Sequence, residues 1–188
     1  MTAPLFYPIV GVGDFIVAAN NQPGYLGSFS PIKIYKMPST NDLAQNVAPA
    51  LVQTIFTDRY LVDFALDTSN FNRVAFFTIP NGTAIGSVSP TMTIYQVGTT
   101  ALTKISERVL GPDATKVSGL FMNGSAFAIS GDYLAYGTCN VSDWDGGRGG
   151  SRFVGCGLAV EKIGTGEKLS VEPLPVSRLS DFGIDGLG

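Results

Sequence analysis

The first informative chemical fact about this chain is an absence. Its 188 residues include no histidine. That removes His-based catalytic triads, imidazole general bases and His-containing metal sites together. Carboxylates remain, and a glycosidase needs only two of them. Asp58, Asp63, Asp67, Asp132, Asp143 and Asp145 are the candidates. Asp63 and Asp67 flank one apolar run and could converge. No spacing singles out a pair, so the chain reads as a non-enzyme, with a small glycoside hydrolase using paired Asp kept as the last alternative.

The other chemistry-bearing motifs are weak. Asp143-Trp144-Asp145-Gly146-Gly147-Arg148-Gly149-Gly150 begins as a calcium loop does, because oxygen ligands two residues apart can share one ion. The closing bidentate Glu is missing, since Glu161 falls inside an apolar run, so no metal is expected. Trp144, the only tryptophan, could anchor a partner or stack on a sugar ring, or fold back over its own strands. Cys139 and Cys156 sit at the end of one strand-like run and the start of the next. Antiparallel neighbours there could be bridged; two free thiols suit a reducing compartment. Gly11-Val12-Gly13 lacks the third glycine and the following helix of a dinucleotide fingerprint. Gly164-Thr165-Gly166-Glu167-Lys168 lacks the Walker spacing. No cofactor is expected.

The elements that must position these residues are strands. Charged residues are 14% of the chain, 12 Lys+Arg against 15 Asp+Glu, for a net charge of −3. A typical soluble chain carries roughly 25%. Much of the surface is therefore uncharged or covered by a partner, and no basic field exists to hold nucleic acid. Met1 to Ala19 is apolar but has no basic residue before Lys33 and is interrupted by Asp14. It reads as strands, not a signal peptide, and no run reaches the ~18 apolar residues of a membrane helix. The best helical candidate, Asn41 to Leu51 with Asp42 as a cap, is interrupted by Pro49. Short runs rich in Val, Ile, Phe, Tyr and Thr, bounded by Gly, Pro, Asn and Ser, predict an all-β chain.

The runs repeat. Ile32-Lys33-Ile34-Tyr35-Lys36-Met37 aligns with Met92-Thr93-Ile94-Tyr95-Gln96-Val97 and with Leu158-Ala159-Val160-Glu161-Lys162-Ile163. Upstream, Gly13-Asp14-Phe15-Ile16-Val17-Ala18 aligns with Gly131-Asp132-Tyr133-Leu134-Ala135-Tyr136 and more loosely with 72–77. Apolar runs at 5–10, 61–66 and 125–130 precede these, and runs at 50–56, 102–109 and 168–174 follow. Each unit therefore reads as four strands, A to D, over about 1–57, 58–117 and 118–175. Strands B and C are apolar on both faces, which suits a sheet stacked between two others.

Gly131-Asp132-Tyr133-Leu134-Ala135-Tyr136, a loop, a strand and then Gly164-Thr165-Gly166-Glu167-Lys168-Leu169 resemble a β-propeller blade of the WD40 or YVTN type. The Gly-His and Trp-Asp dipeptides of WD40 repeats are missing; Tyr35, Tyr95 and Glu161 stand where that Trp would be. Degenerate blades of this kind also resemble segments of tailed-phage virion proteins. The resemblance implies three four-stranded antiparallel propeller-like blades, with a β-sandwich or jelly roll as the alternative. It implies a virion subunit whose partners are itself and other virion proteins; outside that setting a cytoplasmic location is expected. A carbohydrate-binding module with sites between blades is the second reading. The long B–C loops, 19–30, 80–89 and 140–155, are the expected partner surface, with Tyr25, Phe29, Trp144 and Arg148 as its contact residues. Residues 176–188 read as an arm reaching a neighbouring subunit through Leu179, Phe182, Ile184 and Leu187.

Overall fold

A computed structural model describes residues 9–19, 31–56, 58–83, 88–111, 114, 127–142 and 152–173. At 9, 10, 19, 138–142, 152–156 and 170–173 the backbone alone is described. The chain is all-β, built from three four-stranded antiparallel sheets, each in sequence order. Sheet 1 holds β1 (Ile9–Val12), β2 (Phe15–Ala19), β3 (Ile32–Lys36) and β4 (Ala50–Ile55). Sheet 2 holds β5 (Arg59–Leu66), β6 (Arg73–Pro80), β7 (Thr91–Val97) and β8 (Leu102–Val109). Sheet 3 holds β9 (Phe127–Ser130), β10 (Tyr133–Ser142), β11 (Arg152–Lys162) and β12 (Lys168–Pro173).

Local chemistry explains the turns. Gly13 and Gly131 sit at φ 56° and 58° in the tight A–B turns, and Gly166 at φ 71° in the last C–D turn, a region that favours glycine. The first C–D connection is longer and carries α1 (Thr40–Ala44). Its N-cap is Ser39, whose hydroxyl accepts from the Asp42 N–H while the Asp42 carboxylate accepts from the Ser39 N–H. Asp42 is thus the inner half of a reciprocal cap rather than the cap itself. The helix buries none of its residues, so the apolar spacing that sustains a longer helix is missing and it ends within five residues.

Sheet 2 lies between the other two. Its β6 is buried from Val74 to Ile79. One core joins Phe15, Val17, Ile32, Ile34 and Ile55 of sheet 1 to Leu61, Val74, Phe76, Tyr95 and Leu102 of sheet 2. The other joins Ala65, Ala75, Phe77, Met92 and Ile94 of sheet 2 to Phe127, Ile129, Leu134, Tyr136 and Ala159 of sheet 3. Phe77 and Phe127 stack across this second junction with ring centroids 3.9 Å apart. Hence both faces of the middle sheet are apolar, as a doubly covered sheet requires.

The three sheets stack with one polarity. Strand pairing puts Val17 with Ile34, Ala75 with Ile94 and Ala135 with Val160. Ile34 lies in the core toward sheet 2, and Ile94 in the core toward sheet 3. Their neighbours Tyr95 and Glu161 face the opposite way, toward the preceding sheet. The first strands of sheets 2 and 3 approach closely: Asp67 and Ile129 form a parallel bridge. β8, the last strand of sheet 2, is exposed from Thr103 to Glu107.

Candidate interaction surfaces

Of the carboxylates that the sequence offered to catalysis, Asp63 and Asp67 are used between sheets 2 and 3, Asp58 and Asp132 are exposed, and Asp143 and Asp145 lie outside the described residues. Asp67 is fully buried. Its Oδ1 accepts from the Ser69 N–H (2.9 Å), the Ser69 hydroxyl (2.8 Å) and the Gly131 N–H (3.0 Å). Its Oδ2 accepts from Nε (2.7 Å) and Nη2 of Arg73. Arg73 Nη2 also donates to the Gly131 carbonyl at 2.5 Å. The group thus clasps the A–B turn of sheet 3. Burial raises the Asp67 pKa, but the bonds from Gly131, Ser69 and Arg73 more than offset this and hold it at about 2. A carboxylate so held is a poor proton donor or acceptor near neutrality. Asp63 is also engaged: Oδ1 accepts from the Phe64 N–H at 2.8 Å and Oδ2 from the Phe127 N–H at 3.3 Å.

A second clasp was not legible in the sequence. Arg108 of β8 reaches Glu161 Oε2 at 2.7 Å and the Ile163 carbonyl at 2.8 Å. Glu161 is 2% exposed. The only signal was a charge standing in strand C where the other copies have Tyr35 and Tyr95. The junction of sheets 1 and 2 uses neutral and exposed groups instead. The Gln53 amide donates to the Leu102 carbonyl at 3.1 Å and accepts from the Leu102 N–H at 3.0 Å. Lys36 bonds Asp14 at 3.0 Å and the Thr99 carbonyl at 3.4 Å.

Where β4 and β8 diverge, a groove of about 480 Å³ opens between sheets 1 and 2. Asp58, Arg59, Lys104 and Glu107 line it, with Phe56 and Tyr95. Phe56 sits at φ 54°, a costly conformation for a bulky residue. Its ring meets Phe76 and Tyr95 edge-on at 5.8 and 5.9 Å. Burial and then the charge of Glu107 push the Tyr95 phenol up. Arg59 is held by Thr78 and Thr91 at 2.8 and 2.5 Å. Glu107 accepts from the Thr93 hydroxyl at 3.1 Å and lies 3.6 Å from the Lys104 ammonium.

Comparison with protein-family models, curated proteins and solved structures finds no match.

Two faces complete the survey. The backward face of sheet 1, away from sheet 2, carries half-buried Ile16, Ala18 and Tyr35 with exposed Lys33 and Leu51. The forward face of sheet 3 carries half-buried Ala128, Ala135, Leu158 and Val160 with exposed Tyr133. Among the described residues no three His, Cys, Asp or Glu side chains converge as metal ligands, and no helix is long and apolar enough to cross a membrane. Tyr25, Phe29, Trp144, Arg148, Leu179, Phe182, Ile184 and Leu187 lie outside the described residues, as do most of the B–C loops. Cys139 and Cys156 are described by backbone alone. They fall at the irregularity where Thr138 pairs with Gly157 and Asn140 with Val154.

Proposed function

We propose that this chain is a non-enzymatic structural protein that assembles head to tail with itself, the forward face of sheet 3 covering the backward face of sheet 1 in a second copy. One observation carries the reading: the same stacking relation joins sheet 1 to sheet 2 and sheet 2 to sheet 3, so each end of the stack presents the face that the other end lacks. A heterologous contact of this kind closes a ring if the rotation per step permits, and otherwise extends. Close approach of the first strands of sheets 2 and 3, with β8 exposed beyond them, favours a stack that curves about the first strands, as blades do about a propeller axis.

Area supports a closed pair over an open chain. Four strands ~4.8 Å apart and about five residues long give a sheet face of roughly 300 Å². One junction then removes roughly 600 Å² from water, the size of a crystal contact; two junctions in a ring of two copies remove roughly 1,200 Å², the lower limit of a stable interface. The resemblance to tailed-phage blade segments favours a virion setting, with other virion proteins as further partners and the arm at 176–188 reinforcing the contact. Sedimentation of the full chain from nanomolar to micromolar concentration tests the reading. A discrete dimer is expected, and a monomer across the range overturns it.

The groove between β4 and β8 favours a second reading, a glycan-binding module, because it lies between sheets and is lined by carboxylate, guanidinium and amide groups. A glycan array with isolated protein tests it: a defined sugar hit abolished by Asp58→Ala supports this reading, and an empty array removes it.

A further inference from the structure

Resting on the glycan reading of the groove between β4 and β8, we propose that the groove takes an acidic sugar, one carboxylate on a pyranose ring, and that Arg59 is the group that recognises it. Three arginine side chains are described, Arg59, Arg73 and Arg108, and all belong to sheet 2. Each fixes the edge of its guanidinium that carries Nε and Nη2. Arg73 gives that edge to the buried Asp67, and Arg108 divides it between the Ile163 carbonyl and the buried Glu161. Arg59 gives it to two neutral groups, the hydroxyls of Thr78 at 2.8 Å and Thr91 at 2.5 Å, both buried. Among the described residues no carboxylate forms an ion pair with Arg59, as Asp67 and Glu161 do with the other two. The edge left over, Nη1 with the second Nη2 hydrogen, can take a carboxylate by two parallel bonds. The charge is thus held in place by neutral anchors and left unmatched, the arrangement of a preorganised anion site.

The rest of the groove indicates what carries the carboxylate. Among the described residues that line it, Arg59 and Lys104 stand against Asp58 and Glu107, so the charges sum to zero. No general field draws in a polyanion; one acid group meets one guanidinium. Glu107 is occupied, accepting from the Thr93 hydroxyl and lying 3.6 Å from the Lys104 ammonium. Asp58 is exposed, and its carboxylate is an acceptor for which sugar hydroxyls are donors. Phe56 is half-buried at φ 54°, packs edge-on against Phe76 and Tyr95, and also lines the groove. An aromatic surface beside polar groups suits the apolar face of a pyranose ring, and backbone strain of this kind gathers at ligand clamps. A carboxylate for Arg59, hydroxyls for Asp58 and a ring face for Phe56 are together the chemistry of a uronic acid or a sialic acid.

The experiment titrates the isotopically labelled full chain by NMR with two pairs of probes, trigalacturonate against its methyl ester and sialyllactose against lactose. In each pair the second member lacks the carboxylate charge. The acid form is expected to bind about tenfold more tightly in at least one pair, the difference between a hydrogen bond to a charged partner and one to a neutral partner. The pair that shows it identifies a uronate or a sialate as the source. Arg59→Gln is expected to bring the acid and neutral forms to within about threefold of each other. Lys33→Gln, on the backward face of sheet 1, leaves the preference unchanged. Circular dichroism confirms the β content of each variant, and the comparison within each pair needs no variant. An empty glycan array removes the glycan reading and this inference together. Acid probes that bind no better than their neutral partners, or not at all, overturn this inference and leave the glycan reading to the array. A preference for the acid form that persists in Arg59→Gln overturns the assignment to Arg59.

Discussion

Asp67→Asn isolates the charge of the clasp between sheets 2 and 3. Asparagine keeps the side-chain oxygen that accepts from Ser69 and Gly131 but removes the charge facing Arg73. In the folded chain the Asp67 pKa falls from 3.8 to about 2, a difference worth about 2 kcal/mol of folding stability. The folded value lies below the unfolded one. The contribution is therefore complete above about pH 4 and is lost as the pH falls toward 2. At pH 6 the substitution also leaves Arg73, whose side chain is 19% exposed, without its counter-charge, for a total loss of about 3 kcal/mol. Urea unfolding at pH 6, 4 and 2.5 measures this without adding salt. The difference between the two proteins is expected to shrink by about 1.5 kcal/mol across that range, the remainder going only below about pH 2. Asp67→Asn with Arg73→Met is expected to recover part of the loss at pH 6. A cost below about 0.5 kcal/mol at pH 6, or one that does not change with pH, refutes the assignment of Asp67 as a charged clasp.

Further outcomes follow from the packing. Gly166→Ala places a Cβ 3.0 Å from Arg108 Nη1 at φ 71°, whereas Gly82→Ala at φ 75° meets nothing within 4 Å; Gly82→Ala is expected to cost about 1 kcal/mol from backbone strain alone, and Gly166→Ala measurably more in the same melt. Phe127→Ala removes the ring stacked on Phe77 and is expected to destabilise by about 3–5 kcal/mol, with hydrogen exchange rising first in β9 and β10. Deleting 180–188 is expected to raise the dimer dissociation constant while leaving far-UV circular dichroism unchanged; an unchanged constant removes the arm from the assembly.

Much of the fold was legible because the signals are local. Strand order within each unit follows from short apolar runs ended by Gly, Asn and Pro, and the alignment of Ile34, Ile94 and Val160 located the third strand of every sheet. The long connection from 67 to 72 was less visible: its role depends on Gly131, in the next sheet. Ser39 was passed over as the helix cap because an Asp three residues on is read more readily as a cap than as its partner. The sequence noted that Asp63 and Asp67 flank one apolar run without singling them out as a pair, and only the bonds they make with backbone N–H groups and Arg73 reveal what they hold.

The sequence alone determined the strands, their antiparallel order and the need for each sheet to be covered, since alternation, turn residues and apolar content act over a few neighbours. Which face of each sheet points forward was decided by tertiary structure. Strand B of each sheet is apolar on both sides, so a shift of one residue exchanges two faces of similar hydrophobicity and its pattern does not choose between them. The same reason explains Glu161. A carboxylate can be buried in strand C only because Arg108, 53 residues earlier, reaches it from another sheet, and no local property of either strand announces that partner.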